Sequence, residues 1–156
     1  MEIKKCLEKL NLLVNSFVSE FDCVAVLGNE FCYLPFLDFI VYQLDFSMRL
    51  PATRDFMKSV KRLKPHVKLT PFVWAVLHEV GHHETYYDMT EEENRRCDKK
   101  KARIEKTHAR WPYYNQPDEV LATTWAVNYA NENVEKVKEF ERNLLEIVAD
   151  IFVIKK

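Results

Sequence analysis

The pentapeptide His78-Glu79-Val80-Gly81-His82 admits few structural contexts. On an α-helix, residues four apart stack on one face, so both imidazoles can reach a single tetrahedral metal. Glu79 then sits about 100° round the helix, beside that metal but not in line with the histidines. With five histidines among 156 residues, chance seldom sets two of them four apart around a glutamate. The flanks support a helix. Thr70-Pro71 reads as an N-cap followed by proline at the first helical position, opening a helix that runs to about Tyr87. Val73, Val76, Leu77 and Val80 give it an apolar back to bury. Gly81 costs about 1 kcal/mol in mid-helix relative to alanine. Its presence implies that another backbone approaches closely beside the histidines.

A catalytic zinc takes three protein ligands and keeps one position open. The downstream candidates are His83, Glu84, Asp88, His108, Asp118 and Glu119. His83 and Glu84 follow His82 too closely to join it, and His83, four after Glu79, reads as a site wall or a solvated residue. Asp88 falls at the helix end. Glu119 opens a later helix, with Ala122, Thr123 and Ala126 on its face, small enough to let that helix lie against the histidines. Glu119 is therefore the preferred third ligand, with Asp118 and His108 behind it. Its competing role is that of a first-turn acid favoured by the helix dipole.

The combination of His78-Glu79-Val80-Gly81-His82 with Glu119-x-x-Ala122-x-x-Trp125-Ala126 resembles the small gluzincin-type metallopeptidases, especially the ImmA/IrrE group. The resemblance covers roughly residues 20–130. Two stretches depart from that group's pattern, the long basic segment Met89–Gln116 and Val127–Asn131, where a Leu-Met-Pro stretch often stands. The resemblance implies a zincin-like fold, a bound zinc, Glu79 as general base and site-specific cleavage of a protein, often a regulatory one. Zinc on His78, His82 and Glu119 would acidify water, and Glu79 would take its proton and later pass it to the leaving amine. His108, Tyr113 and Tyr114 are the candidate donors to the oxyanion or the substrate. Thr123 is a candidate partner for a ligand.

The rest of the chain supplies the frame. Ile3, Leu7, Leu10, Val14 and Phe17 follow helical spacing. Phe21–Leu27, Gly28-Asn29 and Glu30–Leu34 read as a tight hairpin, and Asp38–Phe46 as a third strand. Pro51 ends the strands, and a short helix over Phe56, Val60 and Leu63 stops before Pro65. Thr90 and Glu93 form a capping box for a very polar helix to about His108, whose few apolar residues suggest that it projects or covers the body loosely. An irregular aromatic stretch, Trp111–Tyr114, precedes a helix from Pro117 to about Ala130 and a last helix from about Asn133. The expectation is one α+β domain over residues 1–156, a small antiparallel three-stranded sheet packed with five to six helices.

Composition excludes several alternatives. Two glycines rule out glycine-rich dinucleotide folds. No apolar run reaches the ~18 residues of a membrane span, and the charged N-terminus lacks a signal-peptide core. Four scattered cysteines then suggest reduced thiols and a cytoplasmic setting. The net charge of −1 argues against nucleic acid as a partner, yet residues 49–68 and 95–110 each carry an excess of six positive charges. These stretches are either solvated helix faces or a surface for an acidic partner. The leading functional expectation is a zinc endopeptidase of narrow specificity. Its rivals are a binding or inhibitory protein with a structural metal, and a zinc hydrolase acting on a bond other than a peptide.

Overall fold

The computed structural model describes residues 2–107 and 110–154. Among them, seven α-helices and three short strands follow one another as α1 (Glu2–Val18), β1 (Val24–Leu27), β2 (Cys32–Leu34), β3 (Phe39–Tyr42), α2 (Pro51–Arg62), α3 (Pro71–Thr85), α4 (Glu91–Lys106), α5 (Arg110–Tyr114), α6 (Pro117–Glu132) and α7 (Val134–Ile154). The α+β class stands, with more helices than expected. The seventh is the brief α5, where the sequence reads as irregular, and the expected short helix α2 starts earlier, at Pro51 itself.

The sheet is mixed, not antiparallel. Its order is β1-β3-β2, with β1 parallel to β3 and β2 antiparallel to it. A hairpin at Gly28-Asn29 would need left-handed backbone there, and neither glycine has positive φ. Gly28 answers a different demand. Its N–H bonds to the Tyr42 carbonyl at 2.8 Å, and a Cβ on it would stand 2.5 Å from Val41 Cγ1. The tight reversal instead joins β2 to β3 through Pro35–Asp38, with Asp38 at φ 50° and the Leu37 N–H bonded to the Leu34 carbonyl at 3.2 Å. β3 thereby slots between β1 and β2, and it ends at Tyr42, short of Phe46. The outer edge of β1 is closed by α1, since Asn15 accepts from the Ala25 N–H (2.8 Å) and donates to its carbonyl (2.9 Å).

Below the sheet runs α3, which is buried on every side from Val73 to Gly81. A helix apolar all round belongs in a core. Trp74, Val76 and Leu77 are each at most 2% exposed, and burying such a side chain contributes about 1.5–3 kcal/mol. Thr70 does precede Pro71 at the helix start, but its hydroxyl makes no cap. The Thr70 N–H donates to Glu141 of α7 at 2.6 Å instead. α6 lies along α3 on a stripe of Ala122, Ala126 and Ala130, while α1 and α7 close the far side through Phe17 stacked on Phe140 at 4.4 Å. At the α4 start both halves of the capping box form, Glu93 N–H to Thr90 Oγ1 (3.1 Å) and Thr90 N–H to Glu93 Oε2 (2.7 Å). No helix of the described residues is long and apolar enough to cross a membrane.

Candidate metal centre

α3 carries His78 and His82 one turn apart, their rings 4.6 Å from centroid to centroid and nearly perpendicular. The Phe56 ring of α2 meets the His78 ring edge-on at 5.2 Å and walls that side. What brings the third group in is Gly81. A Cβ there would collide with the Ala122 carbonyl oxygen and lie 3.0 Å from its Cα. The close backbone expected from the glycine is therefore α6, meeting α3 beside the histidines.

That approach seats Glu119 in the first turn of α6 with its side chain turned inward, 2% exposed. A purely dipole-stabilising acid would face solvent. Glu119 Oε2 lies 2.6 Å from His78 Nε2 and 2.9 Å from His82 Nε2. His78, His82 and Glu119 each offer one ligand atom, and these atoms all fall within 4.8 Å of one another.

The hydrogen-bond pattern shows that this trio suits a cation. Thr123 Oγ1 donates its only proton to the Glu119 carbonyl at 2.9 Å. At 3.0 Å, His78 Nδ1 must then be the donor to Thr123 Oγ1. In a neutral His78 the Nε2 lone pair thus faces a carboxylate oxygen 2.6 Å away. Two electron-rich atoms at that separation require a proton or a metal ion between them or beside them. Burial would by itself raise the Glu119 pKa, but His82 and His78 outweigh it and hold the carboxyl well below its usual range. Thr123 thereby fixes the ring orientation and tautomer of His78.

Glu79 leaves α3 beside this trio and is 6% exposed. Among the described residues its carboxylate makes no hydrogen bond. Burial pushes its pKa up to about 8, opposed by His78 and reinforced by Glu119. A buried, unpaired carboxyl of that kind is equipped to take and release a proton near neutrality.

The remaining candidates separate. Asp118 does not join the grouped atoms of His78, His82 and Glu119 and pairs with Lys101 at 2.5 Å. Tyr113 comes to the rim, with Lys101 Nζ 5.2 Å from its ring centroid, and burial pushes its hydroxyl pKa up, so it stays protonated. Tyr114 packs its ring on Phe56 at 5.6 Å, as a member of the aromatic cluster. His108 lies outside the described residues. His83 is part-buried and turned to the sheet: its Nδ1 lies 2.9 Å from the Tyr33 hydroxyl of β2 and 3.4 Å from Asp38. Burial pushes the Cys23 and Cys32 thiols up to about 12 and 11, which leaves them poor nucleophiles.

Lys101 is the residue the sequence reading missed. It bonds Asp118 Oδ2 at 2.5 Å and Glu119 Oε1 at 3.3 Å, with only 14% of its side chain exposed. Burial alone would favour the neutral amine, but Glu119 and Asp118 raise its pKa and keep it charged. The helix α4 is thus not a loose projection but is tied by this lysine onto the site. A signal was present, since Cys97, Lys101 and Ile104 follow helical spacing and define the inner face of α4.

Compared with protein families, curated proteins and solved structures, the chain matches none of them.

Proposed function

We propose that the protein is a zinc-dependent endopeptidase of narrow specificity, a zincin-like domain of the gluzincin type similar to the ImmA/IrrE group. The observation that carries this reading is the shared position of Glu119 Oε2 between His78 Nε2 and His82 Nε2, with the buried Glu79 carboxylate beside them. Zinc is the ion favoured by two imidazoles and one carboxylate, and when bound it supplies a Lewis acid that polarises a carbonyl and acidifies water. Glu79 accepts the proton of the attacking water and delivers it to the leaving nitrogen. Its raised pKa suits both transfers. Thr123 holds His78 in the tautomer that presents Nε2, and the protonated Tyr113 hydroxyl at the rim is a donor toward substrate.

The substrate reads as a protein with an acidic segment, in keeping with a regulatory target. The basic stretches fall on α2 with its following loop and on α4, and α5, which bears Tyr113, packs against both. Lys61, Lys64, Lys99, Lys100, Arg103 and Lys106 are exposed there.

The test uses a library of peptides from digested proteome with the zinc-loaded protein. The wild type should cut at a restricted set of sites. Glu79→Gln should keep its zinc and cut about 10²–10⁴-fold more slowly, the usual contribution of a positioned base. Cleavage by Glu79→Gln at the wild-type rate contradicts the mechanism. A partner-binding activity that survives Glu79→Gln but is lost with His78→Ala would instead assign a binding protein with a structural metal.

A further inference from the structure

α4 is almost entirely solvated. Of its 16 residues only Cys97 is buried, and Lys101 is the one charged side chain that turns in. A lysine ammonium is among the costliest groups to withdraw from water, so its placement calls for a specific partner. It has two, and they are adjacent in sequence at the start of α6. Asp118 Oδ2 takes the ammonium at 2.5 Å and Glu119 Oε1 at 3.3 Å, while Asp98 stands at 4.0 Å. The Glu119 carboxylate is therefore divided. Oε2 belongs to the imidazoles, and Oε1 is held from the opposite side by a cation reaching across from another helix.

We propose that Lys101, anchored by Asp118, is a positioning residue that makes Glu119 a one-oxygen metal ligand. This rests on the metal-site reading above. A free carboxylate can swing to bind through both oxygens, filling a coordination position that a catalytic site must leave open. Occupying Oε1 with an ammonium blocks that swing and fixes the carboxylate plane. The lysine also offsets part of the negative charge that Asp118 and Glu119 place at the start of α6, at the expense of some repulsion of the metal.

The experiment compares wild type, Lys101→Met and the double variant Lys101→Met/Asp118→Asn. The double variant removes both charges of the pair, so it leaves no unpaired Asp118 to unfold the protein. Zinc affinity is measured by chelator competition, and the visible absorption of the cobalt-loaded protein reports coordination. Both variants should bind zinc about 10–100-fold more weakly, the range for loss of a residue that orients a ligand. Their cobalt bands should shift in position and intensity as Glu119 gains freedom, and Lys101→Arg should restore much of the wild-type spectrum. Wild-type affinity and spectrum in both variants would overturn the role of Lys101, as would tighter binding, which would make the lysine a repelling charge only. Failure of the wild type to bind zinc or cobalt would remove the metal reading itself, and this inference with it.

Discussion

Two helices contribute to one centre by opposite means. α3 is buried from Val73 to Gly81 and presents His78 and His82 from within the core. α4 buries one residue and reaches the same place with a single ammonium. In α3 the site's geometry is set by packing, because Gly81 lets the Ala122 backbone come so close that even a Cβ there would collide. In α4 it is set by charge, through a salt link between Lys101 and the first turn of α6. Packing therefore brings His78, His82 and Glu119 together, while the charge link holds the second oxygen of Glu119.

Breaking the packing should cost most. Leu77→Ala removes a side chain that is 0% exposed on the back of α3 and should lower stability by about 2–5 kcal/mol, read from denaturant unfolding. Gly81→Ala gains helix propensity but drives a methyl group into the Ala122 backbone. A net loss of about 1–3 kcal/mol is expected, together with weakened zinc binding, since α6 and Glu119 must back away. A neutral or stabilising Gly81→Ala would show that the α3–α6 contact is looser than described.

Changes on α4 should be milder. Thr90→Ala removes the capping box and should cost about 1 kcal/mol with zinc content unchanged. The cap also makes α4 pH-sensitive. Its bonds from Thr90 hold the Glu93 carboxyl below its usual pKa. That contribution is present above about pH 4.5, the unfolded value, and is lost as pH falls through the lower folded value. Protection of the first α4 amides, corrected for the intrinsic pH dependence of exchange, should fall over that acid window and stay flat near neutrality. Smallest of all, Lys99→Glu with Lys100→Glu alters exposed positions and should shift stability by no more than about 0.5 kcal/mol. The same reversal should weaken any acidic substrate's binding in a salt-sensitive way.

The contrast also explains what the sequence revealed. Helical spacing, the Pro71 start and the Thr90–Glu93 box are local signals, and each marks an element in the structure. The α3–α6 contact was legible because glycine in one helix and Ala122, Thr123 and Ala126 in the other are two halves of one packing requirement. The sheet order was not. Gly28-Asn29 carries the chemistry of a turn, yet Gly28 serves close packing against Val41 from a strand that enters later in the chain. Lys101 was hidden for a related reason. One buried lysine amid seven other basic residues from Arg95 to Arg110 carries no local mark of its partner. Only the fold brings Asp118 and Glu119 to it.

Zinc stoichiometry, measured by elemental analysis on the wild type, Glu119→Ala and Glu79→Gln, tests the metal centre most directly. About one zinc per chain is predicted for the wild type and for Glu79→Gln, as an open three-ligand site requires, with the ion lost from Glu119→Ala. Wild-type protein that takes up no divalent metal, or Glu119→Ala that keeps it at full occupancy, would contradict the assignment of His78, His82 and Glu119 as its ligands.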